Sequence, residues 1–407
     1  MSETRNIVVL GGSFAGLSAA HHILKHTIPK LQQKKDAKYE LHIVDPSTHF
    51  WWRLAAPREM CAEKDMPHSK TFVPIKDGFK QYTNLKDTIF CHQAEVTSLD
   101  PESRTLTLKA GESDPETPST LSYYALVIAT GTRSPTPLTT LQGDHNTTIR
   151  ALDEMNAALP KAKSIIVGGG GPIGVETAGE LGSNLTHKPT ITLITSGSKL
   201  LPVLRPSLST KAENQLSKLG VKVIYNKKIT SHTPPAEGSE GSAQTTIHLA
   251  DGETLTCDLY IPAVGVTPNT AFLPPSALST TPKNANYLAT DPTTLRIPSL
   301  GARVYALGDA GGYDSGGILN LYAAVPIFGA NFQHDLFKDN GVSGAVGERK
   351  LNFKPGETQL VPVGPKTGVG AFSGWQMPGF AVAMAKGKDY FLSTREQIFL
   401  GKKFAKA

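Results

Sequence analysis

Cysteine is scarce: three residues in 407, at positions 61, 91 and 257, with no Cys-x-x-Cys among them. Thiol–disulfide exchange needs an attacking and a resolving thiol in reach of each other, so a redox dithiol is excluded. Cys61, Cys91 and Cys257 are expected to be small buried hydrophobes of a reducing compartment. No apolar run approaches the ~20 residues that span a bilayer. The start of the chain lacks the basic-then-apolar pattern of a secretory signal, and Ser2 stands where myristoylation requires glycine. Ala405-Lys406-Ala407 is not a peroxisomal ending, and a cytoplasmic protein is the expectation. Acid is also in short supply, with 35 Asp and Glu against 41 Lys and Arg, a formal charge of +6. That balance permits anionic partners, but basic residues alone do not argue for nucleic acid.

Glycine, by contrast, is abundant, and it is organised. Ile7-Val8-Val9-Leu10 runs into Gly11-Gly12-Ser13-Phe14-Ala15-Gly16, and Ser164-Ile165-Ile166-Val167 runs into Gly169-Gly170-Gly171-Pro172-Ile173-Gly174. Each is a strand followed by a G-x-G-x-x-G-type turn that opens a helix. Such a turn aims backbone N–H groups and the positive helix end at a pyrophosphate, and its missing side chains let the phosphate come close. Two turns imply two dinucleotides, and the simplest use of two is hydride transfer from a nicotinamide to a flavin. In the first copy Ser13 replaces the second glycine, a mild change whose hydroxyl can itself meet a phosphate.

The strand after each turn ends differently. Leu41-His42-Ile43-Val44 ends in Asp45, an acid suited to a ribose 2′-hydroxyl, although further along than the usual ~20 residues. Thr190-Ile191-Thr192-Leu193-Ile194 ends at Thr195, at the usual spacing, followed by Ser196, Ser198 and Lys199. No acid there repels a 2′-phosphate, so NADPH is tolerated as well as NADH. Lys199 either attracts that phosphate or is simply solvated.

Three later segments follow in a telling order. Leu126-Val127-Ile128-Ala129-Thr130-Gly131 is an apolar strand closed by A-T-G. Cys257 to Gly265, followed by Thr267-Pro268-Asn269, forms a matching return, and Val304-Tyr305-Ala306-Leu307-Gly308-Asp309 ends in G-D. With the two glycine turns, these pieces resemble the pyridine nucleotide-disulfide oxidoreductase superfamily. The helix Gly174 to Leu181 and the tail from Gly368 to Phe391 are similar to its apoptosis-inducing-factor-like branch, in particular the ferroptosis-suppressor type and fungal relatives.

The resemblance implies an α/β fold: two Rossmann-like dinucleotide-binding domains, for FAD and NAD(P)H, plus a small C-terminal α+β segment. The expected division is an FAD-binding domain in two parts, 1–150 and 269–335, an NAD(P)H-binding domain at 151–268, and a C-terminal segment at 336–407. It implies an FAD-dependent NAD(P)H oxidoreductase of the quinone reductase type. FAD contacts fall on Gly11, Gly12, Ser13, Gly16, Asp45, Arg53, Thr130, Gly131, Gly308 and Asp309. NAD(P)H contacts fall on Gly169, Gly171, Gly174, Thr195 and Gly265. Glu176 is placed near the nicotinamide–flavin junction and Lys386 near the far flavin edge, as catalytic residues; no metal is expected. Arg53 and Arg58 either balance a pyrophosphate or flavin charge or pack, and Trp51 and Trp52 either line a ring pocket or pack.

The stretch from Lys386 to the end is basic and holds Tyr390, Phe391, Ile398, Phe399, Leu400 and Phe404, with Ser393 and Glu396 spaced as a helix capping box. It is expected either to lie on an anionic membrane surface or to pack its aromatics on the protein's own core. Gly111 to Pro118 and Thr233 to Ser239 read as exposed hairpin loops. Besides a quinone-like acceptor, two further functions fit: tailoring of a specialised metabolite on the flavin, and a signalling or nucleic-acid-binding role.

Overall fold

The structure, a computed structural model, describes residues 3–234, 244–344, 346–353 and 356–405. Two parallel sheets organise the chain, each centred on one of the two apolar strands that precede a glycine turn. The flavin-type unit comprises β1 (Glu3–Leu10), α1 (Phe14–His22), β2 (Ala37–Asp45), β3 (Ile89–Asp100), β4 (Thr105–Ala110), β5 (Thr120–Ser122) and β6 (Ala125–Ile128). Helix α2 (His145–Ala158) leads into the nicotinamide-type unit: β7 (Ser164–Gly168), α3 (Pro172–Asn184), β8 (Thr190–Ile194), β9 (Val221–Ile224) and β10 (Leu259–Pro262). The chain then returns with β11 (Val304–Ala306) and α4 (Ile318–Asp339), and ends with β12 (Gln359–Pro362), β13 (Gly368–Phe372), β14 (Trp375–Gln376) and the short α5 (Gly379–Val382). Helix α2 crosses residue 150 and α4 runs past residue 335, the numbers at which boundaries are expected.

The larger sheet has the order β11-β6-β1-β2-β3-β4-β5, parallel from β11 to β3 and antiparallel beyond. Its outer strand β11 comes from beyond the nicotinamide unit, so that unit is an insertion in the flavin unit's chain. The smaller sheet, β9-β8-β7-β10, is parallel throughout. Val8, Val9 and Leu10 on β1 are fully buried, as a parallel strand covered on both faces requires. Gly111 to Pro118 does join two antiparallel strands, β4 and β5. Of the other expected loop, Thr233 and Pro234 are described and the rest lies outside the described residues.

The tail packs inward. Tyr390, Ile398, Phe399 and Phe404 are buried in the same core as α1 and α4. His21 Nε2 lies 2.9 Å from the Phe399 carbonyl, and Lys25 donates to the carbonyl of Gly401. The capping box does not form: the Ser393 amide donates to Asp389, Thr394 precedes the short helix Arg395–Phe399, and Glu396 pairs with Lys402. These aromatics of the tail therefore pack on the protein's own core.

Candidate functional site: two glycine turns and a buried ion-pair network

The two turns are built alike. Gly11 has φ +103°, and a Cβ there would stand 2.4 Å from the Ala129 carbonyl oxygen; Gly169 has φ +119° and meets the Ala263 oxygen at 2.2 Å. Only glycine accepts both the angle and the approach. A Cβ on Gly16 would come 1.7 Å from the Gly11 oxygen, and one on Gly174 1.8 Å from the Gly169 oxygen, so in each copy the last glycine lets the helix pack on the turn. Gly171 is different: nothing lies within 4 Å of a Cβ there. Its bareness serves open space in front of the turn.

The first turn faces a cavity of about 460 Å³ lined by Gly11, Ser13, Asp45, Arg53, Thr130, Gly131, Gly308 and Asp309. Ser13 precedes α1 without capping it, so its hydroxyl is left to the cavity. Asp45 Oδ2 accepts from the Gly12 amide at 2.6 Å and Oδ1 from Ser47 at 2.7 Å, so this acid holds the turn as well as facing the cavity. Burial pushes its carboxyl up to about 6 against those two bonds. Asp309 is held by Arg53 Nη2 at 2.9 Å and by the Gly317 amide at 3.0 Å. Thr130 and Asn269 exchange two hydrogen bonds, 2.8 and 2.9 Å, where the strand pair Thr132–Arg133 and Thr267–Pro268 links the two units.

At the second turn Thr195 is buried under Gly170, and its Oγ1 accepts from the Gly197 amide at 3.2 Å. Ser196, Gly197 and Ser198 are the exposed residues of that strand end. Lys199 donates to the Leu204 carbonyl, which ties its ammonium to the chain. Gly265 takes φ +46° at the return from β10.

Glu176 and Lys386, far apart in sequence, are in contact. Lys386 Nζ bonds the Glu176 carboxylate and donates to the Leu360 carbonyl at 3.3 Å; their side chains are 12% and 3% exposed. Burial pushes the Glu176 carboxyl up to about 7, with Lys386 pulling the other way. One helical turn on, Glu180 is fully buried, held by Arg58 Nη2 at 2.8 Å, Arg58 Nε at 3.1 Å and the Tyr390 hydroxyl at 3.0 Å. Arg58 is therefore a structural partner of Glu180 and does not reach the cavity. Trp52 packs in the core and donates to the Tyr390 carbonyl at 2.8 Å. Trp51 does line the cavity, and its Nε1 donates to buried Glu59 at 2.9 Å.

Sequence reasoning missed Glu180 and Glu59. Glu180 carried a signal, four residues after Glu176 and so on the same helix face; Glu59 carried none. Cys257 is buried, while Cys61 and Cys91 are only half-buried. Burial pushes all three thiols up, and none is paired.

The sequence model of the pyridine nucleotide-disulphide oxidoreductases matches residues 5–326, most of the chain. The chain belongs to that family. Its cofactors are FAD and NAD(P)H, and the paired turns and the open cavity at the first of them fit two dinucleotides. Over its whole length this oxidoreductase is 43% identical to oxidoreductase phnG of Penicillium herquei, 98% of which is covered. It is 27% identical to ferroptosis suppressor protein 1 of Xenopus laevis, over 97% of this chain and 95% of that one. The fold is that of the NDH2 of Plasmodium falciparum solved with NADH: TM-score 0.63, 16% identity, 99% of both chains. Among the described residues no helix is long and apolar enough to cross a membrane.

Proposed function

We propose that this oxidoreductase takes a hydride from NADH or NADPH and passes two electrons to a quinone or related small molecule. The observation that carries the acceptor half is the Glu176–Lys386 pair. Bound FAD supplies the two-electron store that separates donor from acceptor. Gly11, Gly12, Ser13 and Gly16 would hold its pyrophosphate, Asp45 its ribose, and Arg53 with Asp309 its ribitol side, beside Thr130, Gly131 and Gly308. For the donor, Gly169, Gly171, Gly174, Thr195 and Gly265 orient the dinucleotide, and alignment rather than a side-chain acid or base is what hydride transfer demands. A quinone that gains two electrons also gains protons. Glu176, whose carboxyl is pushed up to about 7, and the Lys386 ammonium that donates to its Oε1 are the proton-bearing groups of this buried pair.

Anaerobic titration of the FAD-loaded protein with NADH and with NADPH, followed by a panel of quinones, tests this. The flavin bands are expected to bleach with either nucleotide and return with quinone. Bleaching that no quinone reverses contradicts the acceptor. A second reading, tailoring of a specialised metabolite, draws support from Trp51 on the cavity wall and from the higher identity to the Penicillium oxidoreductase than to the ferroptosis suppressor. Under it, the bands return only with that metabolite.

A further inference from the structure

Four large apolar side chains of the C-terminal segment stand in solvent: Trp375 is 82% exposed, Met384 73%, Phe380 66% and Phe372 54%. Phe372 and Trp375 are register partners across the Ser373–Gly374 turn, whose two residues both take positive φ, as the tight hairpin turn requires. Register partners point to one face of a sheet. On β13 the alternate residues Val369 and Ala371 are buried in the core, so Phe372 points outward. Gly368 shares the outward row, and a Cβ there would meet Val382 of α5 at 2.6 Å. Helix α5 therefore lies on that outer face with Val382 inward. Phe380 on α5 and Met384 on the wider π-type turn Ala383–Gly387 that continues it, two residues to either side of Val382, project roughly opposite it. Hairpin tip and helix present their apolar groups to one side of the molecule.

The extent and charge of this patch identify its occupant. Four part-exposed side chains offer a few hundred Å², short of the ~800 Å² per partner of a stable dimer. Lys366 and Lys388 are exposed beside it and have no carboxylate partner among the described residues. The tip is anchored from behind, because Arg205 donates to the Gly374 carbonyl and pairs with Glu357. Aromatic and thioether tips flanked by unpaired cations match an anionic lipid surface.

We infer that the Phe372–Trp375 hairpin tip and the Phe380–Met384 face dock on an anionic lipid bilayer. Met384 and Lys386 leave the same short stretch in different directions, Met384 outward and Lys386 inward to Glu176, so docking holds the stretch that carries Lys386 at the bilayer and delivers a membrane-dissolved acceptor to that side of the protein. This delivery role rests on the quinone reading; the docking itself does not. Flotation of the FAD-loaded full chain with phosphatidylcholine vesicles, with and without phosphatidylserine, separates the two. The protein is expected to float with the serine-lipid vesicles. Trp375→Ser/Phe380→Ser should weaken binding at least about tenfold, and Lys366→Glu/Lys388→Glu should abolish the dependence on anionic lipid. The first variant should keep reduction by NADH and turnover of a short-tailed quinone in water, and lose turnover of a long-tailed quinone held in vesicles. Flotation without any quinone turnover refutes the acceptor and leaves docking standing. Failure of the wild type to float, equal flotation of the apolar variant, or a wild-type dimer in sedimentation that this variant makes monomeric overturns the docking surface.

Discussion

Lys386, on the C-terminal segment, holds its ammonium against the carboxylate of Glu176, 210 residues earlier on the first turns of α3. The contact joins the nicotinamide unit to the segment that closes over it, in a setting that pushes the Glu176 carboxyl up to about 7. Because that value lies above the ordinary one, the proton is bound below about pH 7 and lost above it.

The acceptor half-reaction is therefore expected to slow as pH rises through about 7. Glu176→Gln should flatten this dependence. By the same sign, folded-state stability linked to Glu176 is fully present below its ordinary value near 4.5 and lost as pH rises through about 7. Denaturation at pH 5 and pH 8 should accordingly show Glu176→Gln gaining on the wild type as pH rises. A parallel offset at both pH values contradicts the assignment.

Arg58 and Glu180 form a buried bidentate pair. Arg58→Met strands the carboxylate and should cost about 3–5 kcal/mol, while Arg58→Met with Glu180→Met should recover most of it. Chemical denaturation of the three proteins measures this, and a cost under ~1 kcal/mol for the single variant would mean that the pair is solvated.

Gly171 and Gly174 are three residues apart and should behave differently. Gly171→Ala adds a methyl where the fold leaves room, so stability should stay within ~0.5 kcal/mol while KM for NAD(P)H rises. Gly174→Leu drives a side chain into the Gly169 carbonyl and should abolish reduction by the nucleotide while FAD stays bound. Unchanged KM in the first variant would place the nucleotide away from this turn.

His68 lies 2.7 Å from buried Glu59 and 3.0 Å from Asp153, and these carboxylates push it up to about 9. A raised histidine stabilises fully below its ordinary 6.5, and the gain is lost as pH rises through about 9. His68→Gln should cost about 1–2 kcal/mol at pH 6 and much less above pH 9. Thermal melts across that window check it.

Much of this was legible in the sequence where function needs a local pattern. Gly11, Gly16, Gly169 and Gly174 sit where strand, turn and helix are consecutive, and the strand ends at Asp45 and Thr195 follow by period. The rest depends on meetings between distant segments. Arg58 looked available to a phosphate because nothing local announces Glu180, 122 residues on. The aromatic, basic tail looked amphipathic because its partner surface is α1, at the other end of the chain. Ser393 and Glu396 had capping spacing, but Asp389 and Lys402 offered their backbone and side chain nearer partners.

If Glu176 and Lys386 serve the acceptor and not the donor, Lys386→Met separates the two half-reactions in one rapid-mixing experiment. Reduction of bound FAD by NADH should keep its wild-type rate while reoxidation by quinone slows about a hundredfold or more, the size of one general-acid or charge contribution. Equal slowing of both steps, or of neither, would contradict that assignment.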